Sequence, residues 1–213
     1  MKVTDNIFML EASKYSHVFL VKSDENILID TGMPGLAGKI AGELQTLGVD
    51  IGSVKKILLT HHDVDHIGSA KALREASGAE LWAPAPDVPY ITGEKKRGGR
   101  VKRFASALMR APKPEITGTY DNRREFCGIQ AISAPGHTPG HTIFLYDGVL
   151  FAGDLLRHLK GRFGMLPSVT NWYLKDARES VGLLKTLDFE WFCPAHGQPV
   201  RKGEALVSFL EQF

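Results

Sequence analysis

Short apolar runs alternate with segments of helical periodicity along most of the chain. The apolar runs are four to six residues long, which is typical of buried strands. They predict strands at 7–10, 17–21, 26–30, 56–60, 80–83, 128–133, 142–146, 149–152 and 191–194. Apolar residues at helical spacing predict helices at 36–47, 69–76, 176–187 and 203–213. Two successive series of strands, each followed by helices, indicate an α/β protein built from two halves.

The alternation is interrupted between Pro84 and Asn122. Five prolines lie there, and eight Lys or Arg against one acid give residues 94–113 a net charge of +7. The whole chain carries only +2, so the remainder is net acidic. Apolar residues at 101, 104, 108 and 109 predict a short amphipathic helix. We interpret this segment as a lid that attracts an anionic substrate, a subunit contact, a membrane-surface element or an ordinary solvated loop.

Composition places the chain among globular proteins. Its 213 residues suffice for one domain with a substantial core, and a hydrophobic fraction of 43% excludes a mainly disordered chain. No apolar stretch reaches the ~18 residues of a transmembrane helix, and we expect no secretory signal in the first residues. Two cysteines, Cys127 and Cys193, cannot form a disulfide framework, so we predict a cytoplasmic protein.

The densest polar cluster directly follows the predicted strand at 56–60. Five of the next six residues can bind a metal ion, namely His61, His62, Asp63, Asp65 and His66. Imidazole and carboxylate are the usual nitrogen and oxygen ligands of zinc and other first-row metals. Burying so many polar groups is costly without a partner, and a bound dication would supply one. The alternative for this cluster alone is a solvated polar loop.

Other apolar runs also end in polar residues of the ligand type. Asp30, His137, Asp154 and His196 each stand at or beside the end of such a run. If these ends share one edge, seven ligands converge: His61, Asp63, Asp65, His66, His137, Asp154 and His196. Seven ligands are too many for one tetrahedral zinc, so the pattern predicts two metals that share one carboxylate.

Five ordered motifs resemble those of the metallo-β-lactamase-fold hydrolase superfamily. They are LIDTG at 28–32, THHDVDHIG at 60–68, APGHTPGH at 134–141, FAGD at 151–154 and PAHG at 194–197. The resemblance covers nearly the whole chain. It implies an α/β fold of the four-layer αβ/βα sandwich type. It also implies one metallo-β-lactamase-like domain over 1–213, with a basic lid or insertion at about 84–122.

The resemblance also implies a role for each ligand. One metal would be held by His61, Asp63 and His137, the second by Asp65, His66 and His196, and Asp154 would bridge them. Asp30 would support the ligand loop without binding metal, and His62 and His141 stand at positions that the family does not use as ligands.

The chain departs from the family motif His-x-His-x-Asp-His at one position. Asp63 stands where the second His is expected. A carboxylate there adds negative charge and hardness to the first metal site. We therefore expect two divalent metal ions, zinc first, with iron or manganese as the alternatives.

Two metals bridged by a carboxylate can activate water for attack on an electrophilic carbonyl group. We therefore predict a metal-dependent hydrolase of an ester, lactone, thioester or related carbonyl substrate, with Asp65 as the catalytic residue that orients the water and moves its proton. The alternatives are a phosphodiesterase or nuclease, favoured by the basic segment, and a diiron oxidoreductase, favoured by Asp63. We expect a small-molecule substrate, anionic if the basic segment is a lid. Nucleic acid is not an expected partner, and a homodimer stays open.

Overall fold

The computed structural model describes residues 1–98, 109, 111–122 and 124–213. By internal contacts the chain divides into two compact units, Met1–Tyr120 and Asp121–Phe213. Each unit contains a six-stranded sheet, as the two series of apolar runs predict. The amphipathic helix predicted over 101–110 lies outside the described residues, apart from Met109.

The first unit is built on one mixed sheet. Its strands are β1 (Ile7–Leu10), β2 (Val18–Val21), β3 (Asn26–Ile29), β4 (Val54–Leu58), β5 (Glu80–Pro84) and β6 (Gly118–Tyr120). They lie in sequence order, antiparallel from β1 to β3 and parallel from β3 to β6. The parallel register brings the carboxyl ends of β3, β4, β5 and β6 to the same edge of the sheet.

Helices cover the apolar strands of the first unit. They are α1 (Ala37–Thr46), α2 (Val64–Ile67), α3 (Ala70–Ser77) and α4 (Val88–Ile91), with 3-10 turns at Ile51–Ser53 and Ala85–Asp87. The apolar face of α1 buries Ile40 and Leu44, four residues apart, and α3 buries Leu73 in the same core. Gly78, in the left-handed conformation, ends α3.

The second unit also has a mixed sheet, in the order β14-β13-β10-β9-β8-β7. The strands of this unit are β7 (Glu125–Phe126), β8 (Ile129–Ser133), β9 (Thr142–Tyr146), β10 (Val149–Gly153), β11 (Arg157–Leu159), β12 (Arg162–Gly164), β13 (Trp191–Pro194) and β14 (Val200–Arg201). The hairpin of β11 and β12 stands apart from the sheet. Among the described strands of this sheet only β10 and β13 pair in parallel, so the residues that follow them emerge at one edge.

Two α-helices pack on the second sheet. They are α5 (Leu174–Leu183) and α6 (Glu204–Leu210), with 3-10 turns at Ser168–Thr170 and Leu184–Thr186. Val181 and Leu206 join the buried strand residues Leu150 and Phe192 in the core of this unit. Across the described part of the chain, no helix combines the length and apolar character needed to cross a bilayer.

The long predicted elements are confirmed within a few residues at their ends, whereas several short ones were missed. Missed elements include α2, the three-residue strand β6 and the hairpin of β11 and β12. These segments are three or four residues long, and the hairpin contains two arginines and a lysine. They are therefore too short for the helical or the strand spacing of apolar residues to repeat. The predicted helix 176–187 begins earlier, at Leu174, and becomes a 3-10 turn after Leu183.

Candidate metal centre

In the first unit the polar cluster stands at the carboxyl edge of the parallel strands. The chain continues β4 and then turns at Asp63, the residue before α2, so that this one-turn helix carries Asp65 and His66. The rings of His61, His62 and His66 are fully buried. The carboxylates of Asp63 and Asp65 keep 13% and 16% of their surface exposed, so both can meet a solvent-derived ligand.

Asp30 organises this cluster from the end of β3. One oxygen accepts the backbone N–H of Thr60, at 2.7 Å, and the other accepts the Thr60 hydroxyl and the Nδ1–H of His66, each at 2.7 Å. The Thr60 hydroxyl oxygen in turn lies 2.9 Å from Nδ1 of His61. Both imidazoles are therefore held through Nδ1, so Nε2 is the nitrogen that each ring can offer to a metal ion, and in His66 this atom also lies 3.1 Å from the Ser16 hydroxyl. Asp30 thus orients His66 directly and His61 through Thr60.

The loop that presents Asp30 is bound directly to the ligand turn. Thr31 donates both its N–H, at 2.8 Å, and its hydroxyl, at 2.6 Å, to the carbonyl of His66, and Gly68 donates to the carbonyl of Gly32. A Cβ on Gly68 would lie 2.3 Å from the backbone nitrogen of Pro34. Glycine is required at this position because the two loops touch through their backbones.

In the second unit, Asp154 follows β10 and stands between two histidines. Its Oδ2 lies 3.2 Å from Nε2 of His137, and its Oδ1 lies 3.2 Å from Nε2 of His196. The carboxylate is 4% exposed. The parallel pairing of β10 with β13 explains why Asp154 and His196 emerge together. His137 comes from the loop between β8 and β9.

His137 is held in place by the segment that precedes α5. Its Nδ1 lies 3.1 Å from Oδ1 of Asn171, so Nδ1–H donates to the amide and Nε2 faces Asp154. The N–H groups of Trp172 and Tyr173 both donate to the carbonyl of Gly136, at 2.9 Å. Gly136 has φ +125°, and a Cβ there would lie 2.1 Å from the nitrogen of Ala177. This close approach fixes the His137 loop against the start of α5.

His141 is not placed as a ligand, in agreement with the sequence-based expectation. Its Nδ1–H donates to the carbonyl of Ala134, at 3.1 Å, and its Nε2 accepts the backbone N–H of Asp154, at 3.0 Å. Both ring nitrogens are therefore engaged in holding the Asp154 turn.

The spacing of the donor atoms suits metal ions. The distances are 3.2 Å for both histidines on Asp154, 3.6 Å from Nε2 of His61 to Asp63 and 3.8 Å from Nε2 of His66 to Asp65. A direct charge-assisted hydrogen bond is about 2.7–2.9 Å. Two ligands bound at zinc distances on a tetrahedral ion lie roughly 3.3–3.6 Å apart. The donor set and its spacing therefore fit first-row metal ions in both units.

Three polar residues beside the ligands were missed from the sequence. The Ser16 hydroxyl donates to Nε2 of His66, at 3.1 Å; Asp87 binds His62; and Asn171 binds His137. Only Asp87 had a usable signal, since it closely follows the apolar strand β5 as the other carboxylates follow theirs. Ser16 and Asn171 lie in loops, where no periodic pattern of apolar residues marks their positions.

Arg97 belongs to the described part of the basic segment, and its charge interacts with carboxylates of the first unit. Burial lowers the pKa of its guanidinium below the ordinary value, while the charges of Asp63, Asp65 and Asp87 act in the opposite direction. A cation from the basic segment thus interacts electrostatically with two of the expected ligands.

Cys193 lies within β13, three residues before His196, and its side chain is fully buried. Burial raises the pKa of the Cys193 thiol well above its ordinary value. Its place in the buried core makes Cys193 a packing residue, as predicted from its apolar neighbours.

Comparison with known proteins finds relatives described as metallo-hydrolases. The chain is 30% identical over 165 residues to the probable metallo-hydrolase YflN of Bacillus subtilis, covering 70% of this chain and 60% of the relative. It is 30% identical over 154 residues to the hydroxyacylglutathione hydrolase of Albidiferax ferrireducens, covering 69% and 50%. The chain thus spans between half and three-fifths of the length of these two relatives.

The fold is likewise that of solved metallo-β-lactamases. The structure of BJP-1, a subclass B3 metallo-β-lactamase of Bradyrhizobium japonicum, matches with a TM-score of 0.77 at 24% identity and covers 100% of this chain and 89% of that one. The predicted fold class is therefore confirmed. The family model described as the metallo-beta-lactamase superfamily matches residues 14–196. By its motifs, its fold and this match, the chain belongs to the metallo-beta-lactamase superfamily.

Proposed function

We propose that the protein is a hydrolase with a dinuclear metal centre. The observation that carries the proposal is the carboxylate of Asp154, whose two oxygens face different imidazoles at the same distance of 3.2 Å. A carboxylate that bridges two ions needs this arrangement, whereas a carboxylate bound to one ion does not. Membership in the superfamily and relatives described as metallo-hydrolases support the hydrolytic class.

The proposed ligand assignment is the one that the resemblance to the family implies. One ion is assigned to His61, Asp63 and His137, the other to Asp65, His66 and His196, with Asp154 shared. The assignment is supported by the order of the family motifs and by the Nδ1 contacts of His61, His66 and His137, which make Nε2 the candidate metal-binding nitrogen of each ring. We expect two divalent ions, zinc first, with iron or manganese as alternatives because of Asp63.

When bound, the two ions supply Lewis acidity, which lowers the pKa of water and polarises the substrate carbonyl. The chain contributes the groups that orient and move protons. Asp65 stands on α2 with its carboxylate 3.8 Å from His66 and 16% exposed, so it can accept a proton from the attacking water and return it to the leaving group. Asp65 stands on a short helix whose backbone is anchored by two hydrogen bonds from Thr31 to the carbonyl of His66.

The proposed substrate is a small molecule with an activated carbonyl: an ester, a lactone or a thioester. Thioesters stand first because a relative carries the name hydroxyacylglutathione hydrolase, although the chain spans only half of it. Arg97, whose charge interacts with Asp63 and Asp65, supports an anionic substrate, since a guanidinium can bind a carboxylate. The same cation favours a phosphodiester as the second candidate. A cytoplasmic location and a homodimer stay predictions.

The test combines elemental analysis with a substrate panel. Protein purified without chelator should contain two first-row transition ions per chain. It should hydrolyse one class in a panel of thioester, lactone, ester, β-lactam and phosphodiester substrates, and chelation followed by re-addition of zinc or manganese should remove and restore the activity. Asp154→Asn should lower both the second metal equivalent and the rate, because an amide is a poor bridge.

A matched variant separates the loss of the Asp154 bridge from the general effect of changing an aspartate to asparagine. Asp147→Asn changes an exposed aspartate at the turn between β9 and β10 and should leave metal content and rate unchanged. A folded protein that takes up no added zinc, manganese or iron would contradict the proposal, as would full activity with one ion per chain.

A further inference from the structure

His62 is buried beside the metal-ligand residues, and the ligand assignment leaves it without a role. Its ring and the carboxylate of Asp87 are both 0% exposed. Asp87 uses one oxygen, Oδ2, to accept the backbone N–H of His62 at 2.9 Å and its Nδ1–H at 2.8 Å. The ring of Tyr90 packs against the imidazole, with centroids 4.9 Å apart. His62 is therefore fixed on one side by a carboxylate and on its face by an aromatic ring.

The other nitrogen of His62 is directed at Asp63. Nε2 of His62 lies 3.6 Å from Oδ1 of Asp63, while Oδ2 of Asp63 lies 3.6 Å from Nε2 of His61. The two oxygens of Asp63 thus face different imidazoles. Oδ2 faces a proposed ligand of the first ion, and Oδ1 faces the histidine that Asp87 holds.

This arrangement explains how a carboxylate can stand where the family motif has a histidine. A histidine ligand is oriented through its second ring nitrogen, as Asp30 orients His66 and Asn171 orients His137. A carboxylate has no ring to hold, and its short side chain can rotate between binding modes. It therefore needs a partner for the oxygen that does not bind the metal.

We propose that His62, held by Asp87, is the positioning residue for Asp63 and keeps its carboxylate aimed at the first metal ion. The inference rests on the proposed function, because it takes Asp63 as a ligand. It adds a requirement of its own. With an aspartate at position 63 the metal affinity depends on His62, whereas with a histidine at position 63 it does not. A structural role for His62 would carry no such dependence.

The experiment is a double-mutant cycle read by metal affinity. Four proteins are compared: the natural chain, His62→Phe, Asp63→His, and the double variant. Phenylalanine keeps a ring against Tyr90 and removes both ring nitrogens. Zinc affinity is measured by competition with a chromogenic chelator, and cobalt is used for the absorption spectrum of the first site. The unfolding temperature of each metal-free protein serves as the control for folding.

In the natural background, with Asp63 present, His62→Phe should lower the affinity for one of the two ions by about 10–100-fold and change the cobalt spectrum. In the Asp63→His background the same change should alter affinity by no more than about twofold. Asp87→Asn, a gentler change that keeps an acceptor for His62, should give a smaller loss in the same direction. Asp87→Asn also replaces His62→Phe in this test if the latter does not fold.

Two outcomes would overturn the inference. Equal losses in both backgrounds would make His62 a structural residue only, and unchanged affinity in the natural background would remove any positioning role. These results leave the proposed function intact, since they are obtained on a natural chain that binds two ions. A natural chain that binds no metal would instead overturn the proposed function and this inference together.

Discussion

The carboxylate of Asp30 accepts the Nδ1–H of His66 at 2.7 Å, although the two residues are 36 positions apart in the chain. Asp30 holds this contact from the left-handed region, with φ 61°, which few residues other than glycine, asparagine and aspartate adopt at low cost. The contact ties the end of β3 to the helix that carries the expected ligands Asp65 and His66.

Replacing Asp30 by asparagine should therefore weaken metal binding without unfolding the protein. Asparagine tolerates the same backbone conformation, but its neutral amide polarises His66 less and cannot accept three hydrogen bonds as strongly. We expect a loss of about 10–100-fold in zinc affinity by chelator competition. Asp147→Asn, at an exposed turn with φ 47°, is the matched control for the backbone conformation. Equal affinities in the two variants would contradict the role of Asp30.

Replacing Asp65 by asparagine should separate catalysis from folding. The carboxylate is partly exposed, so the fold should be preserved. An amide cannot accept the proton of the attacking water, so turnover should fall by about 100-fold or more. The rate constant is to be measured after both ions have been confirmed by elemental analysis. A near-natural rate at full loading would exclude Asp65 as the proton acceptor.

Replacing Gly197 by alanine should disturb His196 through the backbone. Gly197 has φ +116°, and a Cβ there would lie 1.8 Å from the carbonyl oxygen of His158 in the β11–β12 hairpin. The control is Gly161→Ala in the same hairpin, where φ is +73° and no atom lies within 4 Å of the added Cβ.

We expect Gly161→Ala to cost about 1–2 kcal/mol of unfolding free energy from the backbone alone. Gly197→Ala should cost about 1–3 kcal/mol more and also lower zinc affinity, because the hairpin must move away from the His196 loop. Urea unfolding and chelator competition measure the two effects. Similar losses for both variants would show that the close approach to His158 has no consequence.

The buried thiol of Cys193 makes stability depend on alkaline pH. Its pKa in the folded protein is raised above the ordinary value of 9.0, so the unfolded chain releases this proton first. Stability from this group is complete below pH 9 and falls as the pH rises above it, by about 1.4 kcal/mol per unit. Urea unfolding between pH 8 and 10 should show this slope. Cys193→Ala should flatten it, and Cys127→Ala, at an exposed position, should not. An unchanged slope in Cys193→Ala would contradict this assignment.

The sequence alone determined the strand and helix pattern of both halves, the fold family and the identity of the ligand-type residues. It did so because buried strands need apolar runs, and because the polar residues at the ends of those runs stand in contiguous motifs such as 60–68 and 134–141. The role of Asp30 followed from the LIDTG motif, and the exclusion of Cys193 followed from its apolar neighbours.

Only the tertiary structure decided which ring nitrogen each histidine presents and which residues hold it there. The contacts of Asp30 with His66, Asn171 with His137 and Asp87 with His62 join residues 36, 34 and 25 positions apart. Such contacts depend on the parallel register of neighbouring strands and on loop geometry, neither of which leaves a periodic signal in the chain. Periodicity reports which face of an element is buried, whereas the orientation of a ligand is set by a partner that the fold brings in from elsewhere in the sequence.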